Sequence, residues 1–298
     1  MTPKRPQIQL TAESQRRNRK LAEAVEQIVR NTPGVPKYVP GPDNGSYITI
    51  AEAPKRSERV RERDLPVPPE HLYLCFEDSQ DVYLDTGRVD VEVMRSLLAE
   101  CGFVFPPGSR VLDFGCGSGR MIRWFCDVAD RCEVWGVDIQ ETHINWCQEN
   151  LAPPFHFLTC TTLPHLPFED RSFDLVFAAS IFVSMAELRD AWLLELRRVL
   201  APGGKLYLTI QDRHSIEVML AYREGERLRA LTELLAPYKE VLHDSWGTLA
   251  IKGSTMNTLV FHDLDDIRRR WGRLFKIEAE RQNAQLFLTA IVLSKHDV

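Results

Sequence analysis

The sequence predicts an α/β domain. It is doubly wound around a mostly parallel seven-stranded sheet with an antiparallel last strand, and a helical N-terminal appendage precedes it. Three observations predict this. Apolar runs alternate with helical stretches from about residue 109 onward, as parallel strand–helix–strand units require. The first of those runs, Val111-Leu112-Asp113, ends in an acid followed by Gly115, Gly117 and Gly119. The last two runs have little more than Gln282-Asn283-Ala284 between them. That is too short for a crossover, so they must pair antiparallel.

The elements follow in order. Residues 11–31 read as one helix. Thr11 and Ser14 offer caps, and Leu21, Ala24, Val25, Ile28 and Val29 recur at helical spacing. Arg16, Arg17, Arg19 and Lys20 make its first half basic, but Glu13, Glu23 and Glu26 dilute that charge, so a solvated face is the favoured reading. Prolines and glycines make residues 32–42 a connector, residues 55–64 carry mixed charge, and Leu65-Pro66-Val67-Pro68-Pro69 is extended. The appendage therefore covers residues 1–80, and the main domain residues 81–298. A helix over 89–102 leads into strands near 109–114, 132–138, 154–158, 173–179, 204–210, 274–281 and 285–295. Helices are expected at 118–128, 140–150, 185–200 and 263–273. The alternation breaks at 213–262, which reads as an insertion. Ligands bind beyond the carboxyl ends of strands in open α/β sheets, so this insertion is expected to form a substrate lid.

Composition narrows the function. Of the 298 residues, 44% are hydrophobic, and the formal net charge is −5. No global positive field draws nucleic acid or an acidic membrane, and no run approaches the ~18 apolar residues of a membrane span. Met1-Thr2-Pro3-Lys4-Arg5-Pro6 lacks the apolar core of a secretory leader. The seven cysteines are irregularly spaced without a C-x-x-C pair, so neither a disulfide framework nor a zinc site is expected. The eight histidines form no paired metal motif. A cytoplasmic protein without a metal is the expectation.

The glycine turn carries the chemistry. A bend without side chains lets main-chain N–H groups approach a ligand closely. A dinucleotide site requires G-x-G-x-x-G, but here Arg120 stands at the third place and the glycine falls one residue early, at Gly119. The resulting D-x-G-x-G-x-G resembles the first motif of the class I S-adenosylmethionine-dependent methyltransferases. Three further blocks resemble the same family in the same order: Glu133-Val134-Trp135-Gly136-Val137-Asp138, Leu166-Pro167-Phe168 through Phe173-Asp174-Leu175-Val176, and Leu194 through Arg198-Val199-Leu200-Ala201-Pro202-Gly203-Gly204. The resemblance extends over roughly residues 80–296 and implies a Rossmann-like sheet.

It also implies a site. Asp113 and the turn Gly115, Cys116, Gly117 and Gly119 would hold the methionine end of S-adenosyl-L-methionine, with S-adenosyl-L-homocysteine as product. Asp138 alone could be a solvated strand-end acid, but the turn one helix earlier favours a ribose ligand, with Ile139 against the adenine. Cys160, Thr161 and Thr162 occupy the adenine edge, where the family usually places Asp or Asn. Ser180 would sit near the sulfonium. Arg120 and Arg123 resemble the "FDFGCGxGR-x-x-R" segment of bacterial small-molecule methyltransferases. The companion "S-x-F-T-H-L" segment reads Ser180-Ile181-Phe182-Val183-Ser184-Met185 here, without its Thr-His pair. A general base would then come from elsewhere, and His214 is the candidate ahead of His243 and His262. His156 and His165 read as structural, and Tyr238 and Trp246 as packing residues. The expected activity is methylation of a small-molecule acceptor, at oxygen ahead of nitrogen or carbon. A macromolecular acceptor, protein or RNA, and a donor-binding scaffold stand as alternatives.

Overall fold

The computed structural model describes residues 37–40, 47–50, 64–73, 79–221, 247–251 and 258–295, with positions 233 and 237. The helix expected at 11–31, and Tyr238, His243 and Trp246, lie outside these. The chain divides into two units, residues 1–53 and 54–298, whereas the sequence set its boundary near residue 80. In the first unit β1 (Lys37–Pro40) pairs antiparallel with β2 (Tyr47–Ile50).

The second unit opens with a strap, residues 64–73, and then the helix α1 (Gln80–Glu100), capped by the Ser79 hydroxyl on the Val82 N–H. Its buried face carries Tyr83, Val91, Met94, Leu97 and Leu98. The sheet follows: β3 (Arg110–Phe114), β4 (Glu133–Asp138), β5 (His156–Thr159), β6 (Phe173–Ala178) and β7 (Leu200–Ile210). The helices α2 (Cys126–Ala129), α3 (Glu141–Asn150) and α4 (Arg189–Val199) connect them. After β7 come α5 (Arg213–Ala221), β8 (Thr248–Ile251), β9 (Leu259–His262), α6 (Leu264–Trp271), β10 (Phe275–Gln285) and β11 (Leu288–Lys295).

Strand order in the seven-stranded sheet is β10-β11-β7-β6-β3-β4-β5. The pairs among β3 to β7 are parallel, and β11 pairs antiparallel with both β10 and β7. This is the architecture expected from the sequence. The order reverses at β3, so the crevice opens between the carboxyl tips of β3, β4 and β6, where ligands bind in such sheets.

Side chains alternate between two cores. Val111, Val134, Leu175, Phe177 and Val292 belong to the cluster shared with α1, α2 and α3. Leu112, Trp135, Val176, Leu206 and Ile291 belong to the cluster shared with α4 and α6. Strands covered on both faces read as near-continuous apolar runs, and this is why their positions were plain in the sequence.

Three elements differ from expectation: α1 begins at Gln80 rather than 89, β10 runs on through the expected connector Gln282-Asn283-Ala284 to Gln285, and the third lies at 118–128. The helix expected at 118–128 is a glycine turn, a 3-10 segment at Ile122–Phe125, and the short α2. Gly115, Gly117 and Gly119 take φ of +84°, +51° and +82°, which holds the chain out of the right-handed helix until after Gly119. Trp124 then breaks the helical dihedrals again. Among the described residues no helix is long and apolar enough to cross a membrane.

Candidate active site at the tips of the parallel strands

A cavity of about 560 Å³ lies against the tips of β3, β4 and β6. Its lining includes Asp113, Gly115, Cys116, Gly117, Asp138, Ile139, Cys160, Thr161, Thr162 and Ser180. The structure thus brings together every donor-site residue chosen from the sequence except Gly119, which shapes the turn from behind. A Cβ on Gly119 would stand 2.4 Å from Leu151 Cδ1, so the residue is needed for both its positive φ and its close approach to the end of α3.

Backbone bonds weld the turn to β4. The N–H groups of Gly115 and Cys116 donate to Val137 O at 2.8 and 3.0 Å. Asp138 accepts from Gly117 N–H through Oδ2 and from Gln140 N–H through Oδ1, both at 2.8 Å. Each carboxylate oxygen keeps a second acceptor site, and two such sites side by side suit a vicinal diol. Its carbonyl accepts from Cys160 N–H at 2.9 Å, which ties the tips of β4 and β5.

Asp113 is almost fully buried, and its Oδ2 has no hydrogen-bond partner. Burial pushes its carboxyl well above the usual range, Arg120 opposes this, and the nearby Asp138 adds to it. An unpaired buried acceptor on a residue that lines a cavity favours a ligand with a donor group, and a carboxylate suits a cationic one, because an unpaired buried polar atom is costly. An ammonium meets that demand, and the turn without side chains leaves main-chain groups close to the cavity.

Past the tip of β5, Cys160, Thr161 and Thr162 line the cavity without an acid or an amide among them. Burial pushes the Cys160 thiol up to about 12, so it is no thiolate nucleophile. The Thr161 hydroxyl accepts from Leu163 N–H at 3.2 Å, and Thr162 O accepts from Trp192 Nε1–H at 3.2 Å.

The strap and α1 brace the turn. Ser118 Oγ donates to Leu72 O at 2.7 Å, and Arg123 Nη2 donates to the carbonyls of Leu65 and Pro66, both at 2.9 Å. Tyr83 stacks on Tyr73 at 4.6 Å and meets Ser118 Oγ at 2.9 Å. Tyr83, Gln140, Ile181, Ser184 and the stretch Met185 to Leu188 also line the cavity and were not chosen from the sequence. The only signal for Tyr83 was its place on the apolar face of α1. Ile181, Ser184 and Met185 fall in the segment set against "S-x-F-T-H-L", and the rest follow strand tips without a motif.

Among the described residues no histidine lines the cavity. His214, in the first turn of α5, sets Nε2 on Asn283 Oδ1 at 2.8 Å and is not among the residues lining the cavity. His262 is buried, with Nε2 at 3.1 Å from Phe182 O and Nδ1 at 3.3 Å from Arg189 Nη1. Burial depresses its pKa to about 4, so it is neutral, donating from Nε2 and accepting at Nδ1. The described part of the 213–262 insertion pairs β8 with β9 and supplies no residue to the cavity lining.

Comparison with known proteins agrees with this geometry. Residues 112–208, from β3 into β7, match the family model "Methyltransferase domain". A probable tRNA methyltransferase 9B of Mus musculus is 28% identical over 188 residues, covering 59% of this chain and 37% of its own length. A ubiquinone/menaquinone biosynthesis C-methyltransferase, UbiE, of Cupriavidus pinatubonensis is 36% identical over 104 residues, 34% of this chain and 42% of its own. A malonyl-[acyl-carrier protein] O-methyltransferase of Methylococcus capsulatus is 31% identical over 143 residues, 47% of this chain and 52% of its own. The chain thus spans about half or less of the length of these relatives. Residues 112–208 are thus similar to a methyltransferase domain, and that stretch holds the acid-tipped strands β3 and β4 and the turn between them.

Proposed function

We propose that the chain transfers the methyl group of S-adenosylmethionine to an oxygen of a small-molecule acceptor in the cytoplasm. The donor supplies an electrophilic methyl group on a sulfonium, and the protein's task is to bind, orient and exclude water. Asp113 would hold the ammonium, Asp138 the ribose, and the backbone from Gly115 to Gly117 the chain between them. Ser180 would border the reacting centre.

The observation that carries the reading is the buried Oδ2 of Asp113, without a hydrogen-bond partner, on a residue that lines the cavity with the glycine turn. Support for a small acceptor comes from the rest of the lining. Ile181, Met185, Ala186 and Leu188 are apolar, which suits a compact and partly apolar substrate. A net charge of −5 does not favour a polyanion. One relative acts on oxygen by its name, another on carbon, and the mouse relative's name points to tRNA. The six described cysteines are all free thiols, in keeping with a reducing compartment.

The test offers methyl-labelled donor with a small-metabolite fraction in one arm and total tRNA in the other. S-adenosylhomocysteine should form in the first arm, with label on an oxygen of the product by NMR. Label on carbon would overturn the oxygen assignment, and turnover with tRNA alone would overturn the small-molecule reading.

A further inference from the structure

We propose that Gln285, at the end of β10, is a positioning residue for methyl transfer that locks two walls of the donor cavity to each other. The inference rests on the donor-site reading above. Ser180 and Arg120 both line the cavity, from the tip of β6 and from the end of the glycine turn. A buried chain of hydrogen bonds joins them, and Gln285 is its centre.

The chain can be followed donor by donor. Ser180 holds φ +60°, a left-handed conformation unfavourable for a residue with a Cβ. Two bonds fix it there. Its N–H donates to Thr209 Oγ1 at 2.7 Å, and its hydroxyl donates to Gln285 Oε1 at 3.0 Å. The Thr209 hydroxyl donates to the same Oε1 at 3.0 Å. Gln285 Nε2 donates to Asp90 Oδ2 at 3.0 Å, and Arg120 Nη2 meets the same oxygen at 2.7 Å. A carboxylate only accepts, so the amide nitrogen must face Asp90 and the amide oxygen must face the two hydroxyls. Thr209 is fully buried, Gln285 is 2% exposed, and Asp90 and Arg120 are 7% and 8% exposed.

The arrangement has a chemical consequence. A side chain that fills this place must accept toward Ser180 and donate toward Asp90. Glutamine does both. A protonated glutamic acid would also do both, with its O–H toward Asp90, but an ionised one would face Asp90 with like charge and nothing to donate. Two cations act on the surroundings, Arg120 on the turn and Arg281 on β10, while Tyr207 on β7 stays a neutral phenol whose pKa burial and the Asp90 charge both raise. Asp90 itself is raised by burial against the pull of Arg120.

Two variants test the assignment, read by calorimetric binding of S-adenosylhomocysteine and by thermal melting. Gln285→Met keeps length but not the bonds. It should melt cooperatively and bind the product at least tenfold more weakly. Gln285→Glu should bind weakly near about pH 8.5 and recover toward wild type near about pH 5.5, on either side of a carboxyl raised by burial and by Asp90. A wild-type affinity in Gln285→Met overturns the proposal. So does a Gln285→Glu affinity that follows the wild-type pH profile, and so does a loss that merely tracks melting in both variants. Failure of the wild-type protein itself to bind S-adenosylhomocysteine would instead overturn the donor-site reading.

Discussion

Asp138 uses one acceptor site on each carboxylate oxygen to hold the Gly117 and Gln140 N–H groups, so its removal acts twice. It removes the ribose ligand proposed above, and it frees the turn proposed to carry the methionine end. Hydrogen bonds to charged groups contribute about 1.5–3 kcal/mol each. Asp138→Ala should therefore weaken S-adenosylhomocysteine binding by roughly tenfold or more, measured by calorimetry. Unchanged affinity would remove the ribose assignment. His214 gives the opposite expectation. Its Nε2 is engaged by Asn283 and it is absent from the cavity lining. A general base contributes about 10²–10⁴-fold, so His214→Ala should reduce turnover by far less than that. A loss of that size would return the histidine to the mechanism. Single residues were the hardest scale to read from the sequence. Asp113 and Asp138 stood at strand tips beside glycines, where type and place coincide. Gln285 and Asp90 sit 195 positions apart, and only the folded sheet makes them neighbours.

The elements were legible wherever burial on both faces wrote a continuous apolar run, and β3, β4 and β6 fall within one or two residues of expectation. Legibility failed at the glycine turn, where backbone dihedrals rather than apolar spacing decide the structure, and residues 118–128 read as a helix that only partly forms. It failed again for α1, whose first turns were missed because Gly87 and Asp90 interrupt the apolar face. Gly87 has a definite role there. A Cβ at that position would lie 2.3 Å from the Arg120 carbonyl oxygen and 3.1 Å from Trp124 Nε1. Alanine gains about 1 kcal/mol of helix propensity over glycine. A backbone oxygen at that distance cannot turn aside, and overpacking typically costs about 1–3 kcal/mol. Gly87→Ala should therefore lower the melting temperature despite its better propensity, and should weaken product binding because α1 is pushed off the turn. A stabilised variant with unchanged binding would show that the helix can slide without cost.

For the molecule as a whole, acid stability is tied to the place where β9 crosses the segment after β6. Val260 N–H donates to Val183 O at 2.7 Å, and His262 N–H donates to Gln211 O at 2.8 Å. The imidazole of His262 closes the junction by bonding Phe182 O and Arg189 beside Trp271. Its pKa in the fold is about 4, against an ordinary value of 6.5, because burial disfavours the cation. Between those values the unfolded chain binds a proton that the folded chain refuses, so stability is complete above pH 6.5 and falls as pH drops toward 4. The shift corresponds to about 3 kcal/mol, a large share of a typical domain's total. Asp113 acts with the opposite sign, since its raised carboxyl takes up a proton on folding and favours the folded state as pH falls. The wild-type profile alone therefore mixes these two with His143 and His156, which burial also depresses, and with Asp90, which it raises. His262→Gln separates them, because an amide can donate to Phe182 O and accept from Arg189 without titrating. Urea unfolding across this range should show the variant gaining about 3 kcal/mol relative to wild type as pH falls, with Asp113 contributing equally to both. Parallel profiles would mean that His262 takes up its proton in the fold at an ordinary pH, and that the β9 junction is open to water.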